Sequence, residues 1–269
     1  MEPTVRRRFE VARELAAAAG ELALASFRRP GLVAVPKGPV DWVTEVDVAV
    51  EHLIRSRLAE EFPADGFLGE EEGRLGGDDE SYLWVVDPID GTVCYASGVA
   101  QWAVSIACLD PYGHPALGVV CDPVGGETFA AVAGGRLLVD GSELEVPRRG
   151  LRDGLVGVGY APKSGAGART LRFLDALVGA GAGFVTPGSA ALALAYVAAG
   201  RLVGFFEASL RIWDCLAGEV LVRAGGGWVT SFVADGRLDG DKEMLAANAA
   251  AADDLRALWQ ATGPGLTFT

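Results

Sequence analysis

Asp87 and Asp90 stand three positions apart at the end of the apolar run Trp84-Val85-Val86, with Pro88 and Ile89 between them and Gly91-Thr92 behind. Two carboxylates delivered together, with free backbone amides just after them, suit a hard cation and a phosphate group. Residues 83–86 are short and branched, so they read as a buried strand that carries Asp87 to its C-terminal edge, where the ligands of α/β sheets collect. Pro88 donates no backbone hydrogen bond and is expected to stop the ladder. Gly91 permits a tight turn, so Asp87, the Ile89 carbonyl and Asp90 can converge on one point. An Asp-Pro turn followed by Asp-Gly is also among the commonest turn chemistry. The stretch alone leaves both readings open, and carboxylates from elsewhere in the chain must decide.

Several such groups exist. Glu70 follows the short apolar run Phe67-Leu68 in Gly69-Glu70-Glu71, Asp47 sits in Thr44-Glu45-Val46-Asp47 at a helix start, and Asp214 follows Trp213 at another. Gly188-Ser189-Ala190-Ala191 opens a third helix, and Glu207 ends the run Gly204-Phe205-Phe206. Taken singly these are ordinary, since the helix dipole favours acids in the first turn and loop glutamates are usually solvated. Taken together they supply a carboxylate set. Histidine is scarce: His52 lies in a helical stretch and His114 in a Pro-Tyr-Gly-His-Pro turn, so Ser-His-Asp, phosphohistidine and His-rich zinc chemistry find no support.

The elements that must position these groups follow from periodicity. Residues 4–28 and 44–62 have helical spacing, the second with Thr44 and Asp47 as a capping box. Residues 31–43 read as an exposed loop or hairpin and 69–80 as a loop. Strands are expected at 83–86, 102–109, 117–121 and 128–132. Beyond 147 short strands at 155–159 and 203–206 alternate with helices at 169–178, 189–199 and 214–224, an α/β pattern. The expected organisation is an N-terminal half, 1–147, carrying most of the acidic cluster, and a C-terminal half, 148–269, carrying Asp214 and Glu207, with a cleft between them.

Composition narrows the class. The 269 residues are 50% hydrophobic, enough for a full core, and the formal net charge of −13 argues against nucleic-acid or anionic-membrane partners. Phosphate esters would be repelled as well, so an acidic protein that handles them does so through bound cations. The alanine-rich segments 15–25 and 190–199 are too short to span a bilayer. The N-terminus carries charges of both signs and leads into an amphipathic helix rather than a signal peptide, so a cytoplasmic protein is expected. Cys94, Cys108, Cys121 and Cys215 form no CxxC pair, which fits reduced thiols.

In order along the chain, Asp41 to Asp47, Gly69-Glu70-Glu71, Trp84 to Thr92, Gly188-Ser189-Ala190-Ala191 and Trp213-Asp214-Cys215-Leu216-Ala217-Gly218 resemble the inositol monophosphatase family. That family lies within the metal-dependent, lithium-sensitive sugar phosphatases that include fructose-1,6-bisphosphatase. The resemblance implies a layered αβαβα sandwich, α/β (α+β) in class, that hydrolyses a small polyol or sugar phosphate as a homodimer. It implies two magnesium ions or three: Glu70, Asp87 and the Ile89 carbonyl hold the first, Asp87, Asp90 and Asp214 the second, and Glu70 a weaker third through water. It further implies that Thr92, Asp47 and Glu70 orient and deprotonate the attacking water, and that the Gly91 and Thr92 amides hold phosphate oxygens. Ser189, the Ala190 amide and Glu207 fall at the substrate, and Lys37 on a mobile loop that closes over the metals.

Two features depart from the family pattern. An asparagine and an aromatic usually follow the Asp-Gly-Thr turn, whereas here Val93, Cys94 and Tyr95 follow Thr92, and a thiol cannot replace an amide's donors and acceptor. Arg211 and Ile212 also vary a region that shapes substrate access. The competing expectations are a histidinol-phosphate phosphatase, a nucleotide phosphatase acting on 3′-phosphoadenosine or NADP phosphates, and a non-catalytic regulatory binding protein on the same scaffold.

Overall fold

The structure is a computed structural model that describes residues 3–38, 41–78, 80–160 and 165–263. Helix α1 (Pro3–Ser26) leads into a hairpin of β1 (Ala34–Gly38) and β2 (Asp41–Thr44), whose residues 39 and 40 lie outside the described set. Helix α2 (Glu45–Glu61) begins on the expected box. The Thr44 hydroxyl accepts from the Val46 and Asp47 amides, while Asp47 accepts from the Thr44 amide, so the first turn is closed at both ends.

The first sheet is built from β3 (Gly66–Gly69), β4 (Gly73–Leu75) and β5 (Leu83–Asp90), then, after a short α3 (Thr92–Ala96), β6 (Ala103–Leu109), β7 (Pro115–Asp122), β8 (Glu127–Val132), β9 (Leu138–Val139) and β10 (Ser142–Glu143). Its order is β10-β9-β8-β7-β6-β5-β3-β4, antiparallel except for β3 beside β5. The later elements are β11 (Leu155–Val158), α4 (Ala166–Gly179), β12 (Gly183–Val185), α5 (Ala190–Ala198), β13 (Gly204–Leu210), α6 (Ile212–Ala224), β14 (Trp228–Val229), β15 (Lys242–Ala247) and α7 (Ala252–Ala261). They form a second sheet of order β12-β11-β13-β15-β14, with β12, β11 and β13 parallel.

Strand pleating sorts the side chains into three cores. On β5, Trp84 and Val86 face α1 and α2, whereas Leu83 and Val85 face α5 and α6. On β13, Phe205 joins that same middle core, and Phe206 faces the outer helices α4 and α7, stacked on Phe173 at 4.1 Å. The layers are therefore α1/α2, first sheet, α5/α6, second sheet, α4/α7: the αβαβα sandwich that the resemblance implied. Helix α5 is apolar all round and α6 is mostly buried because both pack between the two sheets. Among the described residues no helix is long and apolar enough to cross a membrane, and the four cysteines are free.

Three expectations need correction. Pro88 does not end its strand: the ladder to β6 skips it and resumes at Asp90. Glu207 is not at a strand end, because β13 continues to Leu210 past an irregularity in its pairing with β15. The loop expected at 69–80 contains β4, which pairs with β3.

Candidate active site

The pairing of β5 with β6 explains how two aspartates at an odd spacing share one face. Asp87 lies opposite Ser105 and Asp90 opposite Ala103, so three steps on β5 match two on β6 and one residue is extra. The bulge at Pro88 reverses the alternation. Ile89 turns to the α1/α2 core, while Asp87 and Asp90 both face the middle layer. The Ile89 amide donates to Asp87 Oδ1 at 3.0 Å, which fixes the bend. Gly91 follows at φ +92, and a Cβ there would lie 2.7 Å from the Gln101 carbonyl and 2.8 Å from that of Gly188, so only glycine fits.

Two middle-layer helices aim their N-termini at this strand end. Ser189, the N-cap of α5, accepts from the Leu192 amide at 3.0 Å and donates to Asp90 Oδ2 at 2.5 Å; the Ala191 amide donates to the same oxygen at 2.6 Å. Asp214, in the first turn of α6, accepts from the Arg211 amide at 2.7 Å, and the Ser105 hydroxyl donates to the Trp213 carbonyl, tying α6 to β6. Oxygens of Asp87, Asp90 and Asp214 all lie within 4.8 Å of one another, a group that could hold a metal ion. The dipoles of α5 and α6 favour negative charge there.

Glu70, just beyond β3, donates its amide to the Val86 carbonyl at 3.2 Å and so travels with β5. It is not one of the three clustered oxygens, yet its charge is the largest electrostatic influence on Asp87 after burial. Lys37, on β1, lies 3.6 Å from Glu70 and 2.7 Å from Glu71. Asp47 is fully buried: Oδ2 accepts from the Thr44 amide and hydroxyl, and Oδ1 lies 3.1 Å from the Thr92 hydroxyl. That hydroxyl is also 3.0 Å from the Ile89 carbonyl. Ala190 is buried beside Ser189, and Glu207 is half-buried on β13, outside the aspartate trio.

Burial sets the electrostatics. Desolvation pushes Glu70 up to about 8, helped by the charge of Asp214, and pushes Asp90 up to about 7 against its bonds from Ser189 and Ala191. Asp87 rises well above the carboxylate range and Asp47 rises as well, each mainly because it is buried. Such a cluster cannot be fully ionised without cations. The Cys94 thiol, packed against Gly188 and raised by burial, is not a nucleophile in waiting.

The sequence reading overlooked Glu51, whose buried carboxylate accepts the Glu71 and Glu72 amides. Its only signal was the four-residue spacing from Asp47 on one helix face. It also did not anticipate Ser105 or the Ala191 amide, whose partners are distant in sequence.

A sequence model described as the inositol monophosphatase family matches residues 5–262. An inositol-1-monophosphatase of Rhizobium meliloti is 40% identical over 204 residues, 75% of this chain and 76% of that protein. A protein named Nus factor SuhB from Pseudomonas aeruginosa is 40% identical over 229 residues, 82% of this chain and 84% of that one. Among solved structures, the extragenic suppressor protein suhB of Bartonella henselae superposes with a TM-score of 0.84 at 32% identity, covering 96% of this chain and 98% of that one.

Proposed function

The chain belongs to the inositol monophosphatase family, and from that premise we propose that it is a magnesium-dependent phosphomonoesterase acting on a small polyol or sugar phosphate. The observation that carries this reading is the convergence of Asp87, Asp90 and Asp214 beside the Asp47–Thr92 hydrogen bond. The donors are all hard oxygens, and burial raises the pKa values of Asp87 and Asp90, so a small hard cation such as magnesium fits better than a softer ion. Magnesium, when bound, neutralises the carboxylates, offsets phosphate charge and lowers the pKa of water.

The residues divide the remaining work. Glu70, Asp87 and the Ile89 carbonyl would hold one ion, Asp87, Asp90 and Asp214 a second, and Glu70 would contribute to a weaker third. The Thr92 hydroxyl would take the proton of the attacking water as it gives its own to Asp47 Oδ1 across their 3.1 Å contact, with Glu70 as the second acceptor. The Gly91 and Thr92 amides hold phosphate oxygens, Lys37 steadies the acidic rim, and Ser189, the Ala190 amide and Glu207 meet the hydroxyls of the organic half. We carry over the homodimer and lithium sensitivity from the same membership, and the cytoplasmic location from the charged N-terminal residues.

The test is phosphate release from inositol-1-phosphate, histidinol phosphate, fructose bisphosphate and adenosine bisphosphate, with and without magnesium. Release should require magnesium, and one ester should lead by over tenfold, about 1.4 kcal/mol in transition-state terms. Leadership by histidinol phosphate or adenosine bisphosphate would move the substrate class accordingly. A second reading, a regulatory binding protein, is favoured by one observation: a relative as similar as the phosphatase carries the name Nus factor SuhB. No release from any ester, under conditions where the protein is folded, would leave that reading standing alone.

A further inference from the structure

Glu51 has no part in the mechanism above, yet it is fully buried on α2, one turn beyond Asp47 and on the same face. Its carboxylate reaches the turn that follows β3: Oε2 accepts from the Glu71 amide at 3.0 Å and Oε1 from the Glu72 amide at 2.7 Å. Gly69, on the other side of Glu70, makes room for it, since a Cβ there would lie 2.5 Å from the Glu51 carboxyl carbon. The backbone around Glu70 is thereby held at three places, by these two bonds and by its own amide on Val86.

We propose that Glu51 is a positioning residue: by gripping the Glu71 and Glu72 amides it fixes the Glu70 carboxylate toward Asp87 and makes α2 the common frame for the ligands of β3 and β5. The inference rests on the metal-dependent phosphatase reading. Its physical content is that a glutamate on a turn has little of its own to hold it. Asp47 and Glu51 sit on one rigid helix. The first accepts from Thr92 after β5 and the second holds the turn after β3, so α2 joins the β3–β5 ladder in setting the relative placement of Asp87 and Glu70.

Two variants attack the grip from opposite sides. Glu51→Gln keeps the size but puts an amide donor where one of two backbone donors must be accepted. Gly69→Ala leaves Glu51 intact and drives its carboxylate off the turn. Manganese binding to the full-length variants, followed by the electron-spin signal of free Mn2+ without substrate, should weaken about 10- to 100-fold, with kcat lowered by a similar factor and KM little changed. Wild-type manganese affinity in both folded variants would overturn the proposal. So would failure of both to fold, because Glu51 would then hold the protein together rather than one ligand. Glu70→Gln is the control. If it binds manganese as tightly as wild type, the metal reading itself fails, an outcome distinct from wild-type affinity in the Glu51 and Gly69 variants alone.

Discussion

Asp90 is the residue on which most lines of the site meet. It receives a hydroxyl from Ser189 and an amide from Ala191 on one oxygen, it stands in the aspartate trio, and burial holds it at about 7. Asp90→Asn keeps the shape but loses the charge, and should lower kcat by about a thousandfold, roughly 4 kcal/mol, under saturating magnesium. Steady-state turnover decides it, and a rate within threefold of wild type would remove Asp90 from the machinery. Gly91 makes a different demand, on space and backbone alone. Gly91→Ala would force a Cβ against the Gln101 and Gly188 carbonyls at positive φ, so it should destabilise the fold by more than about 1 kcal/mol as well as disturb the site. Thermal melting reads the first effect, and an unshifted melt would mean the turn adapts.

Elements explain what single residues cannot, as the junction of β5 with α5 shows. Ser189 caps α5 and supports the Asp90 carboxylate, so Ser189→Ala removes a helix cap, at a cost of about 1 kcal/mol, and a hydrogen bond that favours the charged form. The pKa of Asp90 should then rise further, and the acid limb of the pH–rate profile should move to higher pH. An unmoved limb with a lowered melting temperature would leave Ser189 as a cap alone. The local signals of this region were legible in sequence: the capping box at Thr44 and Asp47, the apolar run before Asp87, and the helix start at Ser189. What was not legible depends on partners far along the chain. Pro88 reads as a stop because proline lacks an amide, but whether a strand stops or bulges is decided by β6. Strands β12 and β15 and helix α7 were not anticipated at all. β12 is short and peripheral, β15 is paired on both sides, and α7 is fastened through Trp259, which meets the buried Arg169–Glu243 pair that joins α4 to β15 at 2.7 Å. Glu51 escaped notice because its partners are backbone amides, which no residue letter advertises.

At the scale of the whole molecule, the acidic cluster couples metal, protons and stability. In the chelator-treated protein, Glu70 at about 8, Asp90 at about 7 and Asp87 well above the carboxylate range bind more protons folded than unfolded between pH 5 and 8. The sign follows directly: a carboxyl raised on folding contributes stability below its unfolded pKa and loses it as pH climbs through its folded value. Carboxyls lowered by hydrogen bonds, such as Glu127 beside Arg201, act oppositely but complete their change at lower pH. The melting temperature in chelator should therefore fall from pH 5 to pH 8. Magnesium reverses the trend, because it binds the ionised cluster and displaces protons that become easier to lose as pH rises. At a hundredfold excess over its dissociation constant one ion adds about 2.7 kcal/mol. For a chain of this size that corresponds to a rise of roughly 5–10 °C near pH 8. Calorimetry across this range, with chelator and with magnesium, tests the coupling. If the chelator curve is flat or climbs with pH, the carboxylates are not crowded together in the folded protein, and the site described here does not form.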